Sequence, residues 1–193
     1  ALNMGLSEEE LPDIVSRWRE SNKRIRDLWY SVENAALSVV RSGVPAGVNG
    51  LCFAREYDPA NTLDFLTITL PAGRKLFYAS PALTTNEWGK PSLCYMGMDQ
   101  TTKKWKRIET YGGKLVENVT QAIARDCLAE AITRLEAAGY PVVFHVHDET
   151  IIDCPKEKAD LDAVVRIMGQ PVSWAPGLPL GADGWVDVFY KKD

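Results

Sequence analysis

Hydrophobic residues recur at helical spacing in the first part of the chain. Residues 7–41 predict helix, with Ser7 as N-cap and Glu10 at the capping-box position. We expect Pro12 or the step near Asn22 to divide this helix into two pieces. Glycines and a proline then mark a loop that ends at residue 50. The pattern therefore predicts a helical segment over residues 1–50.

Strand-forming residues dominate the middle of the chain. Two β-rich runs flank Pro71, Ala72 and Gly73, which is the sequence signal of a hairpin turn. The segment "LCYMGMDQTTKKWKRIET" repeats this pattern around a turn near "DQTT". Residues 51–110 are therefore predicted to form a β-rich section built from hairpins.

The segment "YGGKLVENVTQAIARDCLAEAITRLEAAGY" predicts a long helix that ends at Gly139, a C′ position. Its apolar residues fall on one broad face at three- and four-residue spacing. They are Val116, Val119, Ile123, Cys127, Leu128, Ile132 and Leu135. A polar stripe elsewhere on the helix is either a solvated face or a ligand surface. It consists of Lys114, Asn118, Gln121 and Arg125.

A second hairpin is predicted in "YPVVFHVHDETIIDCP". Residues 141–146 form a short run rich in β-branched side chains, which predicts a buried strand. Residues 151–154 predict a second strand. The polar residues His147, Asp148 and Glu149 then lie at the turn, where side chains project from a rigid base.

The polar residues of this hairpin allow several kinds of chemistry. Carboxylates fixed in a turn suit Mg²⁺ or Mn²⁺, which prefer oxygen ligands. An Asp-Glu pair in a tight turn is also common for purely structural reasons. The chain has 2 histidines, His145 and His147, and their HxH spacing would also fit a zinc metallohydrolase with further ligands elsewhere.

Composition limits the class of protein. The 193 residues are 46% hydrophobic, which is enough for one substantial core or for one domain plus a smaller lobe. No long apolar run or signal-peptide pattern occurs, so we expect a soluble, intracellular chain with no membrane partner. The four cysteines are expected to be reduced thiols; they are Cys52, Cys94, Cys127 and Cys154.

The net charge of −4 means that any binding of nucleic acid must come from local basic patches. One such patch is "KKWKR", residues 103–107. Its cations could bind phosphates, but a solvated strand face is the favoured interpretation.

The motifs together resemble a known family. "VHDE" between two hydrophobic strands, after a "YGGKLVENVTQAIARD" helix, closely resembles the C-terminal palm segment of family A DNA polymerases, especially those of bacteriophages. "SEEELPDIVSRWRESNKRIRDLW" resembles the helices after the fingers helix, and "LPAGRKLFY" resembles the hairpin with the family's "GRR" element. "LPLGADGWVDVFYKKD" resembles the closing strand of the palm. The likeness covers nearly the entire chain in the family's order.

The resemblance implies an α+β fold: a partial polymerase palm with a mainly antiparallel sheet and long packed helices. Residues 1–50 would be a helical segment on the fingers side, and residues 51–110 the β-rich hairpin section. Residues 111–193 would contain the palm helix, the HDE hairpin and the closing C-terminal strand.

The resemblance also assigns roles to residues. Asp148 matches one of two carboxylates that hold two Mg²⁺ ions at the primer 3′ end, and Glu149 is its acidic neighbour at the catalytic site. His147 matches a histidine that contacts the primer-terminal backbone, whereas His145 either faces DNA or packs within the strand. Arg74 matches an arginine near the incoming nucleotide and the primer strand.

In this family the long helix follows the minor groove of the primer-template duplex. Lys114, Asn118, Gln121 and Arg125 are therefore candidates for DNA contacts. The chain departs from the family at one point, because Glu117-Asn118 stands where relatives often carry a glutamine.

The family's first palm aspartate and fingers helix would lie before Ala1, and Asp64 in "LDFLTI" is in the wrong place to replace that aspartate. We therefore expect no useful polymerase activity from the chain alone. It would be either one polypeptide of a split polymerase, completed by an upstream chain, or an excised fragment with exposed surfaces prone to self-association. Its expected substrates are DNA primer-template and dNTPs in the cytoplasm of a bacterial host. The alternative is a noncatalytic DNA-binding module that has the palm fold.

Overall fold

The computed structural model describes residue 7 and residues 9–60 and 62–191. The chain divides into two compact units, one formed by residues 1–70 and 75–119 and the other by residues 71–74 and 120–193. Each unit is described by itself, as the first unit and the second unit. The expected division at residues 50 and 110 stays a prediction. No helix in the described part of the chain is long and apolar enough to cross a membrane.

The first unit begins with two helices, α1 (Leu11–Ser21) and α2 (Lys23–Ser42). The break falls at Asn22, one of the two predicted positions, where the side-chain amide donates to the Trp18 carbonyl at 2.9 Å. The predicted N-cap at Ser7 is wrong, because α1 begins at Leu11 and Glu10 is its N-cap residue. Ser7 and Glu10 do interact, since the Ser7 backbone N–H donates to the Glu10 carboxylate at 2.9 Å.

A six-stranded antiparallel sheet follows in the order of the sequence. Its strands are β1 (Ala46–Val48), β2 (Leu51–Asp58), β3 (Leu63–Thr69), β4 (Lys75–Thr85), β5 (Pro91–Met98) and β6 (Trp105–Thr110). The predicted hairpins around Gly73 and around "DQTT" are both confirmed. Strand β1 was not predicted, since it lies within the expected loop; Asn49 and Gly50 form its turn with φ of 47° and 80°.

Helix α2 packs on one face of this sheet. Val32, Ala36 and Val39 are fully buried, as are Phe53 and Leu66 of the sheet. Burial of each large apolar side chain contributes about 1.5–3 kcal/mol, so this layer is the main source of stability in the first unit. The α+β class and the antiparallel pairing expected from the sequence are confirmed.

The long helix α3 (Gly112–Ala137) is shared between the units. Val116, Val119, Leu128 and Leu135 of the predicted apolar face are buried. Gly139 has φ of 86°, which confirms the predicted left-handed stop after the helix.

Helix α3 begins in close contact with α2. A Cβ atom placed on Gly112 would overlap the carbonyl oxygen of Trp29 and would lie 2.8 Å from its carbonyl carbon. These are backbone atoms of a packed helix, so they cannot move aside as a flexible side chain could. Glycine at this position therefore sets how closely the two helices approach.

Gly112→Ala should lower the free energy of unfolding by about 3 kcal/mol, because the new methyl group would force α2 and α3 apart. Gly47→Ala is the control, since a Cβ there would meet its nearest atom at an ordinary 3.8 Å. Urea unfolding of both variants measures the difference. Equal stability of the two variants would contradict the close approach.

The second unit contains the hairpin of β7 (Val142–Val146) and β8 (Glu149–Ile152). A 3-10 turn at Lys156–Lys158 and helix α4 (Leu161–Met168) follow. The hairpin is confirmed, but the expectation that its first strand is buried is wrong. Val143 is 55% exposed and Phe144 44% exposed, because in the described residues the sheet has two strands and leaves much of its surface uncovered.

The expected closing strand does not form in the described part of residues 178–191. A strand requires backbone hydrogen bonds to a neighbouring strand, and residues 178–191 pair with neither β7 nor β8 although each has a free outer edge. Val188 is 94% exposed as a result. This segment contacts the hairpin through side chains instead.

Candidate active site

The tip of the β7–β8 hairpin is a turn of two residues, His147 and Asp148. The antiparallel pairing reaches Val146 and Glu149, so His147 and Asp148 alone must reverse the chain. The prediction that Glu149 lies at the turn is wrong, because it is the first residue of β8. His147 has φ of 50°, in the left-handed region that side chains with a Cβ seldom adopt. Backbone strain of this kind is concentrated at functional sites. The turn leaves both His147 and Asp148 exposed.

One face of the hairpin carries His145. The Arg125 guanidinium of α3 lies 3.3 Å from its Nε2 atom. Because a guanidinium can only donate hydrogen bonds, this contact is a hydrogen bond only in the tautomer whose Nε2 accepts. His145 is exposed and bonded to Arg125, so its side chain is not packed within the strand.

The opposite face of the hairpin contacts Tyr190. Its ring packs edge-on against Phe144, with centroids 5.3 Å apart. The Tyr190 hydroxyl donates to the Glu149 carboxylate at 3.3 Å. Loss of hydration, with the charge of Glu149, raises the pKa of the Tyr190 hydroxyl, so it remains a donor at neutral pH. Glu149 is therefore partly held, whereas Asp148 has no hydrogen-bond partner among the described residues.

The donor atoms at this tip favour hard cations over zinc. Asp148 and Glu149 offer carboxylate oxygens, which Mg²⁺ prefers. Nε2 of His145 is already occupied by Arg125, whose positive charge opposes metal binding. In the described ranges, no group of three or more His, Cys, Asp or Glu side chains could hold a metal. The two carboxylates are thus of the ligand type that Mg²⁺ prefers.

Arg74 is not a free hairpin arginine. Its Nε atom donates to Asp126 Oδ1 of α3 at 2.6 Å, and a terminal nitrogen donates to the Ala122 carbonyl at 2.7 Å. The Asp126 side chain is 10% exposed. Its other oxygen, Oδ2, is buried and has no hydrogen-bond partner among the described residues. Sequence reasoning missed Asp126, because nothing local links it to an arginine 52 positions away.

The polar stripe of α3 is not uniform. In the first unit, Lys114 pairs with Glu117 at 2.8 Å, and the Asn118 amide donates to the Tyr78 hydroxyl at 3.0 Å. Burial raises the pKa of Tyr78, and this hydrogen bond partly offsets the shift. In the second unit, Gln121 is exposed and has no partner among the described residues. The stripe is therefore partly bound into the protein.

The Arg74–Asp126 pair generates an asymmetric stability prediction. Arg74→Met should lower the free energy of unfolding by about 2 kcal/mol, because it leaves the buried Asp126 carboxylate without its cation. Asp126→Asn should cost less, since the Arg74 side chain is 46% exposed and can be hydrated. The double variant should recover part of the loss caused by Arg74→Met. Urea unfolding measures all three variants.

Arg17→Met is the control for that series. Arg17 and Asp13 form an ion pair at 2.8 Å whose side chains are 78% and 62% exposed, so its loss should cost about 0.5 kcal/mol or less. The burial argument would fail if Asp126→Asn were more destabilising than Arg74→Met.

Comparison with known proteins gives a match over the full length of the chain. The chain is 51% identical to the DNA polymerase of Bacillus phage SP02 over 100% of its own length. It spans 29% of the length of that relative. The similarity to a segment of a phage DNA polymerase, expected from the sequence, is thus confirmed. The name of this relative does not specify a polymerase family, so membership of family A stays a prediction. No family model and no solved structure matched the chain.

Proposed function

We propose that this chain is the part of a DNA-directed DNA polymerase that supplies the second metal-binding aspartate, Asp148, and contacts to the primer-template. The whole-length similarity to a phage DNA polymerase carries this proposal. The exposed position of Asp148 at a two-residue turn supports it, because a catalytic carboxylate must reach a ligand from a rigid base. The relevant process would be DNA replication directed by a phage or prophage in the host cytoplasm.

Asp148 would hold Mg²⁺ together with a carboxylate from elsewhere in the polymerase, and Glu149 would lie beside it. Bound Mg²⁺ supplies acidification of the primer 3′-hydroxyl and neutralisation of the departing pyrophosphate. The Tyr190 hydroxyl restrains Glu149, which leaves Asp148 as the freer of the two carboxylates. The resemblance implies that the first carboxylate, the thumb and the fingers come from an upstream polypeptide or domain.

The histidines would bind the primer end. His147 precedes Asp148 in the same turn, so a hydrogen bond from its ring to the primer backbone would position the 3′ end beside the metal ligand. His145 lies on β7 with Arg125 as its neighbour, and together they would present a guanidinium and an imidazole to DNA.

The remaining contacts would check the shape of the duplex. Arg74, held by Asp126, would approach the primer strand and the incoming dNTP with a fixed geometry. Lys114, Asn118 and Gln121 would follow the minor groove along α3, where readout is based mainly on shape.

Primer extension with purified proteins tests the proposal. The chain is mixed with the polypeptide encoded immediately upstream, and Mg²⁺-dependent extension of a primed template is measured with each component alone and with both. Asp148→Asn should lower the extension rate of the mixture by about 1,000-fold or more, because loss of a metal ligand costs several kcal/mol of transition-state stabilisation.

Asp153→Asn is the matched control, since it removes the same charge from an exposed site just beyond β8. Its extension rate should remain within about twofold of the unaltered chain. Full activity of the Asp148→Asn mixture would exclude Asp148 as a metal ligand. Activity of the chain alone, lost in Asp148→Asn, would show that no upstream partner is needed. Absence of primer extension in every mixture would favour a noncatalytic DNA-binding module.

His147→Gly separates stability from function. The free energy of unfolding should change by no more than about 1 kcal/mol, because the relief of left-handed strain offsets the added freedom of the unfolded chain. The KM for primer-template in the extension assay should rise about tenfold through loss of the ring's hydrogen bond.

Asn49→Gly provides the control for this variant. It relieves a similar φ of 47° in the β1–β2 turn and should leave the KM unchanged. An equal rise in KM for both variants would refute a specific role for His147.

A further inference from the structure

The "KKWKR" cluster, residues 103–107, is not explained by the proposed function. It lies at the β5–β6 turn and at the start of β6, the last strand of the sheet in the first unit. Every one of its side chains is exposed, and the indole of Trp105 is 60% exposed. A single exposed tryptophan is ordinary, but one with cations on both sides has the composition of a nucleic-acid contact.

The turn that presents these residues is rigid. The Asp99 carboxylate accepts hydrogen bonds from the Thr102 backbone N–H at 2.6 Å and from its hydroxyl at 2.8 Å. Two backbone bonds of 2.9 Å, from Lys103 to Asp99 and from Asp99 to Lys104, close the loop. A backbone fixed in this way loses less conformational entropy when the turn binds a ligand.

Some charged side chains of this turn form ion pairs and others do not. Asp99 is also paired with Lys106 at 2.8 Å, and these contacts hold the pKa of the carboxyl well below its usual range. Lys103 and Lys104 have no ion-pair partner among the described residues. Glu109, two residues after Arg107 on the same face of β6, is a further acidic neighbour. The cluster is therefore net positive in a chain whose total charge is −4.

Trp105 and Arg107 point to the same face of β6. Side chains alternate along a strand, so these two share a face about 7 Å apart, whereas Lys106 points to the other. The Arg107 guanidinium donates to the Ser80 carbonyl at 3.3 Å, which fixes it across the sheet. Trp105 is paired in register with Met98, which is 51% exposed. An aromatic platform is thus flanked by cations on the turn and along the strand.

We propose that this face binds single-stranded DNA, with a base stacked on Trp105 and phosphates contacted by Lys103, Lys104 and Arg107. A flat aromatic surface requires an unstacked base, which a single strand offers and a duplex does not. An acidic peptide would match the cations but has no corresponding use for the indole. That the strand is DNA, such as the unpaired template ahead of the primer, rests on the proposed function.

Fluorescence anisotropy with a labelled oligo-dT and the full chain tests this site. The assay contains EDTA and no dNTP, so its outcome is independent of metal binding by Asp148 and of primer extension. Trp105→Ala should weaken binding of the oligonucleotide by about 5- to 100-fold, the loss expected for one stacked base. Trp105→Phe should retain most of the affinity, which separates loss of stacking from misfolding.

Matched variants separate this site from general surface effects. Trp88→Ala removes another tryptophan, 74% exposed, from the β4–β5 turn and should change the affinity by less than twofold. The double variant Lys103→Ala, Lys104→Ala should reduce the slope of log affinity against log salt by about 1.4, because each single-strand phosphate contact contributes about 0.7. Lys156→Ala with Lys158→Ala should leave the slope unchanged.

Three results would overturn the inference. They are unchanged binding by Trp105→Ala, an equal loss with Trp88→Ala, and equal competition by polyglutamate and unlabelled oligo-dT. Equal competition by polyglutamate would show that the oligonucleotide is bound through its charge alone. Failure of primer extension would count against the proposed function and would leave the result of this binding assay intact.

Discussion

The two-residue turn between β7 and β8 is the constraint on which the candidate site depends. Pairing of Val146 with Glu149 leaves no further residue to reverse the chain, so the left-handed conformation falls on His147. This conformation costs on the order of 1 kcal/mol. In return, Asp148 projects from the end of a hydrogen-bonded ladder and not from a mobile loop. A longer, relaxed turn would remove the strain and also the fixed direction of the carboxylate.

A two-stranded hairpin is marginal by itself, so its neighbours must hold that turn in place. In the second unit, Arg125 contacts one face through His145, and Tyr190 contacts the other through Phe144 and Glu149. These contacts are polar or edge-on aromatic. Contacts of this kind suit the strands of the hairpin, because those strands are only partly buried. The hairpin is thus positioned more by directional contacts than by burial, and directional contacts determine where a side chain points.

The elements that the sequence predicted correctly are determined by local interactions. Helix α3 followed from helical periodicity and Gly139, and the hairpins followed from their turn residues. The Asn49-Gly50 signal of a two-residue turn could also have predicted β1. Helix α4 was missed although its eight residues are strongly amphipathic and Asp160 caps it by accepting from the Ala163 N–H at 2.9 Å. The exposure of β7 depends on which elements cover it, and no local pattern contains that information.

Candidate DNA-contacting residues differ in whether the protein already uses their polar atoms. Arg74 is held by Asp126, and Asn118 by Tyr78, so each keeps one geometry before any ligand arrives. A ligand that meets them avoids a rotamer cost of up to about 2 kcal/mol but must accept the direction they offer. Gln121 and Lys103 have no such partner among the described residues, and they can adjust to the ligand at that entropic cost. Selectivity for duplex shape should therefore depend on the held residues, whereas salt-sensitive affinity should depend on the free ones.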